Sequence, residues 1–208
     1  TTKSWNYGID IALLENRFTF TIDYYTRKTE NLLATVPVPA GTNFDKLMLE
    51  NVGNVDSKGL ELALTAHLIG NKDWSWNVTA NAAWQRVRIK NLTLTPGAPS
   101  PDTEVGPWID AYQMQVFSTD HAPYAFYLYK QLYDQETGRP IEGLYADLDG
   151  DGQITNNDRY HCHSPAPDCI LGMSTSLRYK KWALSTALRA NLGGYIFNGM
   201  AMNTRAWE

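Results

Sequence analysis

The arrangement of strand-like segments constrains the fold of this chain more than any other feature. Six segments alternate apolar and polar residues with the two-residue period of a β-strand, and they begin at Trp5, Arg17, Gly59, Trp74, Met173 and Trp182. Very short turns join the two members of each of three pairs, whereas long stretches separate the pairs. Short turns at one rim and long loops at the other are typical of a transmembrane β-barrel.

Each segment has one apolar face, and its opposite face carries polar, charged or small residues. The residues that we expect to face lipid are Leu13, Phe20, Leu62, Val78 and Leu184. The residues that we expect to face a wet lumen are Asp10, Asp23, Glu61, Asn81 and Arg189. Charged residues such as Asp10 and Arg189 would be costly in a dry interior unless they were paired. Alternation by itself leaves a soluble β-sandwich open, because a sheet with one wet face shows the same pattern.

Aromatic residues at the short turns favour the barrel over the sandwich. Four of them cluster there, as an interfacial girdle does, and they are Trp74, Trp76, Tyr179 and Trp182. We therefore expect the turns at 15–16, 70–73 and 180–181 to face the periplasm.

The long stretches 26–57 and 86–170 also favour the barrel. Structureless connections of that length are uncommon in compact domains, so they do not suit a sandwich. We expect both stretches to form large extracellular loops, and 86–170 to contain structure of its own.

Composition and termini bound the function further. The chain has 208 residues and a formal net charge of −4, which gives no reason to expect a nucleic-acid partner. It begins without Met, carries no leader and ends soon after a strand, so we expect an internal fragment of a longer protein. Lipid does not tolerate open sheet edges, so we expect no stable closed pore from this chain alone.

An acidic segment, 147–158, nearly matches the calcium-loop pattern D-x-[DN]-x-[DN]-G. The predicted ligands, at positions 1, 3, 5, 7 and 12 of the loop, are Asp147, Asp149, Asp151, Gln153 and Asp158. Calcium prefers such hard oxygen donors, and three carboxylates within five residues would repel one another without a cation. A turn rich in Asp and Gly that holds no metal is the alternative. No helix pattern flanks the segment, so we expect a structural ion and no switch.

Two cysteines, Cys162 and Cys169, lie in the stretch H-C-H-S-P-A-P-D-C. In an exported protein we expect one local disulfide between them. A zinc site that also uses His161 and His163 is the alternative, although the spacing fits no standard zinc pattern. The histidines lack a spaced nucleophile with a supporting acid, so we expect no enzyme.

Four stretches in their order resemble one protein family. They are 22–33 (I-D-Y-Y-T-R-K-T-E-N-L-L), 50–64 with Asn51, Gly53, Gly59 and Glu61, the strand W-S-W-N-V-T-A-N from Trp74, and 147–159 followed by Y-K-K-W. The set resembles the SusC/RagA-type TonB-dependent outer-membrane transporters over nearly the whole chain. The cysteine pair departs from the family, and its plug domain, energy-coupling box and final strand have no counterpart here.

The resemblance implies an all-β fold, in which 1–208 is a middle-to-late part of a 22-stranded antiparallel transmembrane barrel with long extracellular loops. It implies import of glycans or peptides across the Gram-negative outer membrane, with no chemistry on the substrate. The implied partners are a SusD-like surface lipoprotein, the TonB complex, reached through regions absent from this chain, and outer-membrane lipid. Calcium would brace an extracellular loop. The alternative is a secreted, carbohydrate-binding β-sandwich that calcium and one disulfide stabilise.

An aromatic run in the second long stretch is a candidate contact surface. Its residues are Tyr124, Phe126, Tyr127 and Tyr129. They are candidates for contact with sugar or peptide, and packing within the loop or against the neighbouring lipoprotein is the favoured alternative.

Overall fold

The computed structural model describes residues 1–37, 41, 44, 47–93, 102–109 and 112–199. Within them lie twelve β-strands and one short 3-10 helix, Asn156–Asp158. The strands are β1 (Thr2–Leu13), β2 (Phe18–Pro37), β3 (Leu47–Gly70), β4 (Trp74–Asn91), β5 (Thr103–Ile109), β6 (Tyr112–Phe117), β7 (Ala125–Tyr129), β8 (Gln131–Tyr133), β9 (Pro140–Tyr145), β10 (Arg159–His161), β11 (Cys169–Tyr179) and β12 (Trp182–Leu192). No helix of these described residues is long and apolar enough to cross a bilayer.

The six predicted strands form one antiparallel sheet in the order β1, β2, β3, β4, β11, β12. The three predicted hairpins are therefore confirmed. The first turn is tight because Leu14, Glu15 and Asn16 adopt left-handed φ angles of 52°, 54° and 65°. The N–H of Arg17 closes this turn by donating to the carbonyl oxygen of Leu14 at 3.1 Å.

The prediction that 26–57 is a loop is wrong for 26–37 and 47–57, which belong to β2 and β3. The β2–β3 ladder continues from the Thr26–Lys58 pair to the Pro37–Leu47 pair, with irregular register between Thr29 and Leu33. Likewise, 86–91 belongs to β4 and not to the second loop. The hydrophobic alternation ends where both faces of the hairpin become wet, but the backbone hydrogen bonds persist, so the strands outlast the pattern that predicts them.

The register aligns side chains of one kind across the sheet, because residues paired in a ladder share a face. One row is wholly apolar and consists of Ile9, Ile22, Leu62, Ala82, Leu171 and Ala190. The adjacent row on the opposite face is mainly polar and consists of Asp10, Thr21, Ala63, Asn81, Gly172 and Arg189. The apolar face is uncovered in the described structure, since Ile9 is 61% and Leu184 is 64% exposed. This single layer differs from a β-sandwich, which would bury these side chains.

A second sheet lies at the long-loop end, with the strand order β10, β7, β6, β5, and β8 and β9 form a separate hairpin. The turn before β7 is joined to β4 by two backbone hydrogen bonds. The N–H of Ile89 donates to the carbonyl oxygen of His121 at 3.0 Å, and the N–H of Asp120 donates to that of Ile89 at 2.8 Å. Val116 and Phe126 are buried in this second sheet. Most buried apolar side chains of the described structure therefore lie at the long-loop end, whereas Ala66 and Cys169 are buried within the six-stranded sheet.

Candidate functional site

The apolar face of the six-stranded sheet is a band of limited height. At the short-turn end, Trp74 pairs with Tyr179 and Tyr179 with Trp182, and the rings of the first two lie 4.2 Å apart. At the other end, Trp84 and Tyr24 share a row. Trp74 and Trp84 are ten residues apart on β4, which corresponds to about 33 Å of strand, or about 25 Å at a tilt of about 40°. A transmembrane barrel has an apolar band of about 25 Å between two aromatic girdles.

The opposite face of the sheet holds polar side chains that bind one another. The hydroxyl of Thr21 donates to Oδ1 of Asp10 at 2.6 Å. Nδ1 of His67 lies 2.6 Å from Oδ1 of Asn77. Both pairs join neighbouring strands, so this face is suited to water and not to hydrocarbon.

The acidic loop gathers three of the predicted metal ligands. Carboxylate oxygens of Asp147, Asp149 and Asp151 lie within 4.8 Å of one another. Backbone N–H groups stabilise the arrangement: Gly152 donates to Asp147 at 2.8 Å and Gln153 donates to Asp151 at 2.7 Å. All three carboxylates are exposed, so a cation can approach from solvent.

Asp158 has a different position from the one that the motif predicts. It is fully buried, and its two oxygens accept the N–H groups of Leu148 and Thr155, each at 2.7 Å. These hydrogen bonds, with that from Thr155 the larger cause, lower the pKa of the carboxyl group. Together, Thr155 and Asp158 form a capping box at the 3-10 helix. Asp158 closes the loop, and the sequence signal for this role was the T-x-x-D spacing.

The four predicted contact aromatics differ in accessibility. Tyr124 is 47% exposed, whereas Phe126 is only 7% exposed and offers almost no surface to a ligand. Tyr127 packs between the ring of His161 and the guanidinium of Arg159, at centroid distances of 4.7 Å to each. Tyr129, also half-buried, packs against the ring of Tyr145 and donates a hydrogen bond to Asn156. Of the four, Tyr124 presents the largest surface.

Both cysteines are free thiols, so the predicted disulfide is not formed in the structure. Cys169 is the first residue of β11 and is buried, while Cys162 follows β10 and is half-buried. Burial raises the pKa of the Cys162 thiol. Among the described residues, the acidic-loop aspartates are the one group of three whose ligand atoms are gathered closely enough for a metal, and Cys162, Cys169, His161 and His163 are not gathered in this way.

Stacked aromatic rings connect the segments around Cys162. The rings of His121 and His161 stack at 3.6 Å, and those of His163 and Tyr195 at 3.7 Å. Desolvation is the main cause that lowers the pKa of His161, and the neighbouring His121 lowers it further. Both effects favour the neutral form of the His161 ring.

Sequence reasoning missed an apolar groove of about 270 Å³ between the extended β2–β3 hairpin and the second sheet. Its walls include Leu32, Leu49, Val55, Ile89 and Phe117. The sequence held no signal for it, because three of these residues lie in a stretch that the pattern assigns to a loop.

The chain is similar to known proteins over almost its whole length. A family model described as "TonB dependent receptor-like, beta-barrel" matches residues 1–191. The TonB-dependent receptor SusC of Bacteroides thetaiotaomicron is 36% identical over 97% of this chain and 20% of its own length. The TonB-dependent receptor P3 of Formosa agariphila is 32% identical over 95% of this chain and 21% of its own length. The chain thus spans about a fifth of the length of these curated relatives.

Solved structures show the same fold. The RagAB peptide importer in its open-open state matches with a TM-score of 0.75 and 22% identity, over 95% of this chain and 21% of the importer chain. A structure of the RagAB peptide transporter matches with a TM-score of 0.69 and 24% identity, over 92% of this chain and 21% of the other. At these identities, the likeness establishes the fold alone.

Proposed function

Because this chain belongs to the family of TonB-dependent receptor β-barrels, we propose that it forms part of the wall of an outer-membrane transporter that imports glycans or peptides. The observation that carries the proposal is the two-faced sheet, whose apolar band between Trp74 and Trp84 matches the thickness of a membrane core. The relatives' names support transport as the task, and the transporter performs no chemistry on its cargo.

Spin labels on adjacent residues of β12 test the membrane placement. Leu188 and Arg189 lie on opposite faces of this strand and both are exposed. In the full-length transporter in lipid, a label at Leu188 should collide with oxygen, which concentrates in hydrocarbon, and a label at Arg189 should collide with a water-soluble nickel complex. Equal accessibility of both labels to the nickel complex would contradict the proposal.

Uptake by intact cells tests the cargo. Cells that lack the full-length transporter should lose TonB-dependent growth on either a glycan or a peptide mixture, and the intact gene should restore it. Growth that is unchanged on both classes of nutrient would count against import as the function.

We place a SusD-like surface lipoprotein over the long-loop end, and we place the contact with the TonB complex outside this chain. Large apolar side chains exposed at that end support the lipoprotein contact, including Trp108 at 66%, Tyr133 at 60% and Tyr124 at 47% exposure. A Trp108→Ala/Tyr124→Ala variant should recover less lipoprotein in a co-purification. Leu14→Ala, at an equally exposed residue of the opposite end, is the control. Equal recovery by both variants would exclude this surface.

Calcium is the ion that the acidic loop fits, because its three gathered carboxylates are hard oxygen donors and Ca²⁺ takes 6–8 such ligands. Bound calcium would offset their mutual repulsion and stiffen the loop. In the full-length protein, Asp149→Asn/Asp151→Asn should abolish terbium luminescence that calcium competes away. Glu136→Gln/Glu142→Gln, a charge-matched pair of exposed residues on the neighbouring hairpin, should leave it unchanged. Equal luminescence in both variants would argue against a metal site.

A further inference from the structure

A belt of cationic side chains follows the apolar band at its long-loop end. We define the basic belt as Lys28, Lys58, Arg86, Arg88 and Lys90. Four of its members, all except Lys28, line one hollow of about 180 Å³ on the surface of the sheet. The belt is on the lipid-facing side of the strands, which distinguishes it from cations that face the lumen.

The strand register gives the height of the belt. Trp84 pairs with Leu60 in the last aromatic row of the band. Two residues further along both strands, on the same face, Arg86 pairs with Lys58. Two residues span about 7 Å of strand, so the belt begins about 7 Å beyond the aromatic row. Aromatic rows mark the membrane interface, and this next row therefore lies at the height of lipid headgroups.

The belt has positive charge that the described structure does not neutralise. Lys90 pairs with Asp120 at 2.5 Å, and Arg88 donates to the carbonyl oxygen of Asp120. Lys58 and Arg86 are exposed and form no ion pair with a described residue. The five cations of the belt thus have two carboxylates beside them, that of Asp56 in the lining of the hollow and that of Asp120 in the ion pair, which leaves a surplus of three positive charges.

We infer that the basic belt binds the phosphate groups of a phosphorylated glycolipid headgroup in the outer leaflet, with Lys58 and Arg86 as its main contacts. Arginine binds phosphate through paired hydrogen bonds, and lysine adds a compact charge. Tyr24, Leu60 and Trp84 form the next row of the same face toward the apolar band, so the acyl chains of the same lipid would lie against that band. This inference rests on the proposed placement of the chain in an outer membrane.

Lipid binding by the full-length transporter tests the inference. Native mass spectrometry in detergent would compare bisphosphorylated lipid A with its fully dephosphorylated form. The wild type should prefer the phosphorylated form, and Lys58→Gln/Arg86→Gln should weaken that binding about 30-fold, since each of the two basic residues contributes about fivefold near an anionic lipid surface. Arg27→Gln/Arg189→Gln is the matched control, because it removes the same charge from exposed residues of the lumen-facing side.

Three results would overturn the inference: equal binding of both lipid forms by the wild type, unchanged binding by Lys58→Gln/Arg86→Gln, or equal weakening by the control. Displacement of the lipid by an equal concentration of inorganic phosphate would assign the hollow to a free anion instead. If the Gln variant does not fold, Lys58→Arg/Arg86→Lys keeps the charge, and its binding should remain within threefold of wild type. The spin-label experiment tests the membrane placement separately. If the label at Leu188 lies in lipid but the glycolipid does not bind, this inference is refuted and the proposed function is not.

Discussion

The contact between Gly59 and Tyr25 provides a sharp test of the sheet register. The two residues pair directly across β2 and β3, and the tyrosine ring covers the glycine. A Cβ added at Gly59 would lie 2.5 Å from Cε1 and 2.6 Å from Cζ of that ring. Non-bonded carbons prefer about 3.5 Å or more, so Gly59→Ala requires the ring to move by about 1 Å. Overpacking of this kind costs about 1–3 kcal/mol.

Gly70 offers the matched control on the same strand. No atom lies within 4 Å of the Cβ that Gly70→Ala would add, and its backbone is not in the left-handed region. This control should be neutral or stabilising by up to about 1 kcal/mol, because alanine loses less backbone entropy on folding than glycine does.

Urea unfolding of the full-length transporter in lipid, followed by the mobility of folded and unfolded forms in a gel, measures both variants. Gly59→Ala should lower the free energy of unfolding by about 1–3 kcal/mol, and Tyr25→Ala in the same chain should remove most of that extra cost. If Gly59→Ala is no more destabilising than Gly70→Ala, the ring does not cover the glycine, and Tyr25 and Gly59 are not paired as the register requires.

Three further predictions concern the long-loop end. The pKa of His161 is lowered in the folded state, so its contribution to stability is complete above its unfolded pKa of about 6.5 and is lost as the pH falls below that value. Amide protection in the second sheet should therefore decrease below about pH 6.5, and His161→Gln should flatten this decrease. Asp158→Asn should speed exchange at the Leu148 amide, which loses a charged acceptor; unchanged exchange would exclude the closing role. Glu104→Gln should destabilise the second sheet by about 1 kcal/mol, because it breaks a 2.8 Å bridge to Arg159, which is mostly buried; calorimetry that shows no change would contradict this.

The strands were predictable where a membrane imposes a pattern. Between Phe18 and Tyr24 on β2, hydrocarbon on one side and water on the other impose strict alternation, and the predicted segment is confirmed. Beyond Thr26 the sequence reads Arg27-Lys28, with charge on both faces, because both faces are wet there. The hydrogen-bonded ladder needs no such pattern, so sequence reasoning stopped at a loop while the strand continued to Pro37.

The acidic loop shows the same limit at a smaller scale. The spacing correctly brought Asp147, Asp149 and Asp151 together, because three residues within five positions of a tight turn are always neighbours. The spacing did not show whether Asp158 would bind a metal or accept hydrogen bonds that close the loop. The role of Asp158 depends on whether its carboxylate faces backbone N–H groups or solvent. Here it faces the N–H groups of Leu148 and Thr155.

What the sequence by itself determined is local: which residues alternate, where short turns reverse the chain, and which segments therefore have a dry and a wet face. Only the tertiary structure decided which distant residues share a row. Trp84 joins Leu60, and Arg86 joins Lys58, through pairings that span more than twenty residues. The physical reason is that strand register depends on non-local backbone hydrogen bonds, and a shift of one residue would exchange the two faces of a strand.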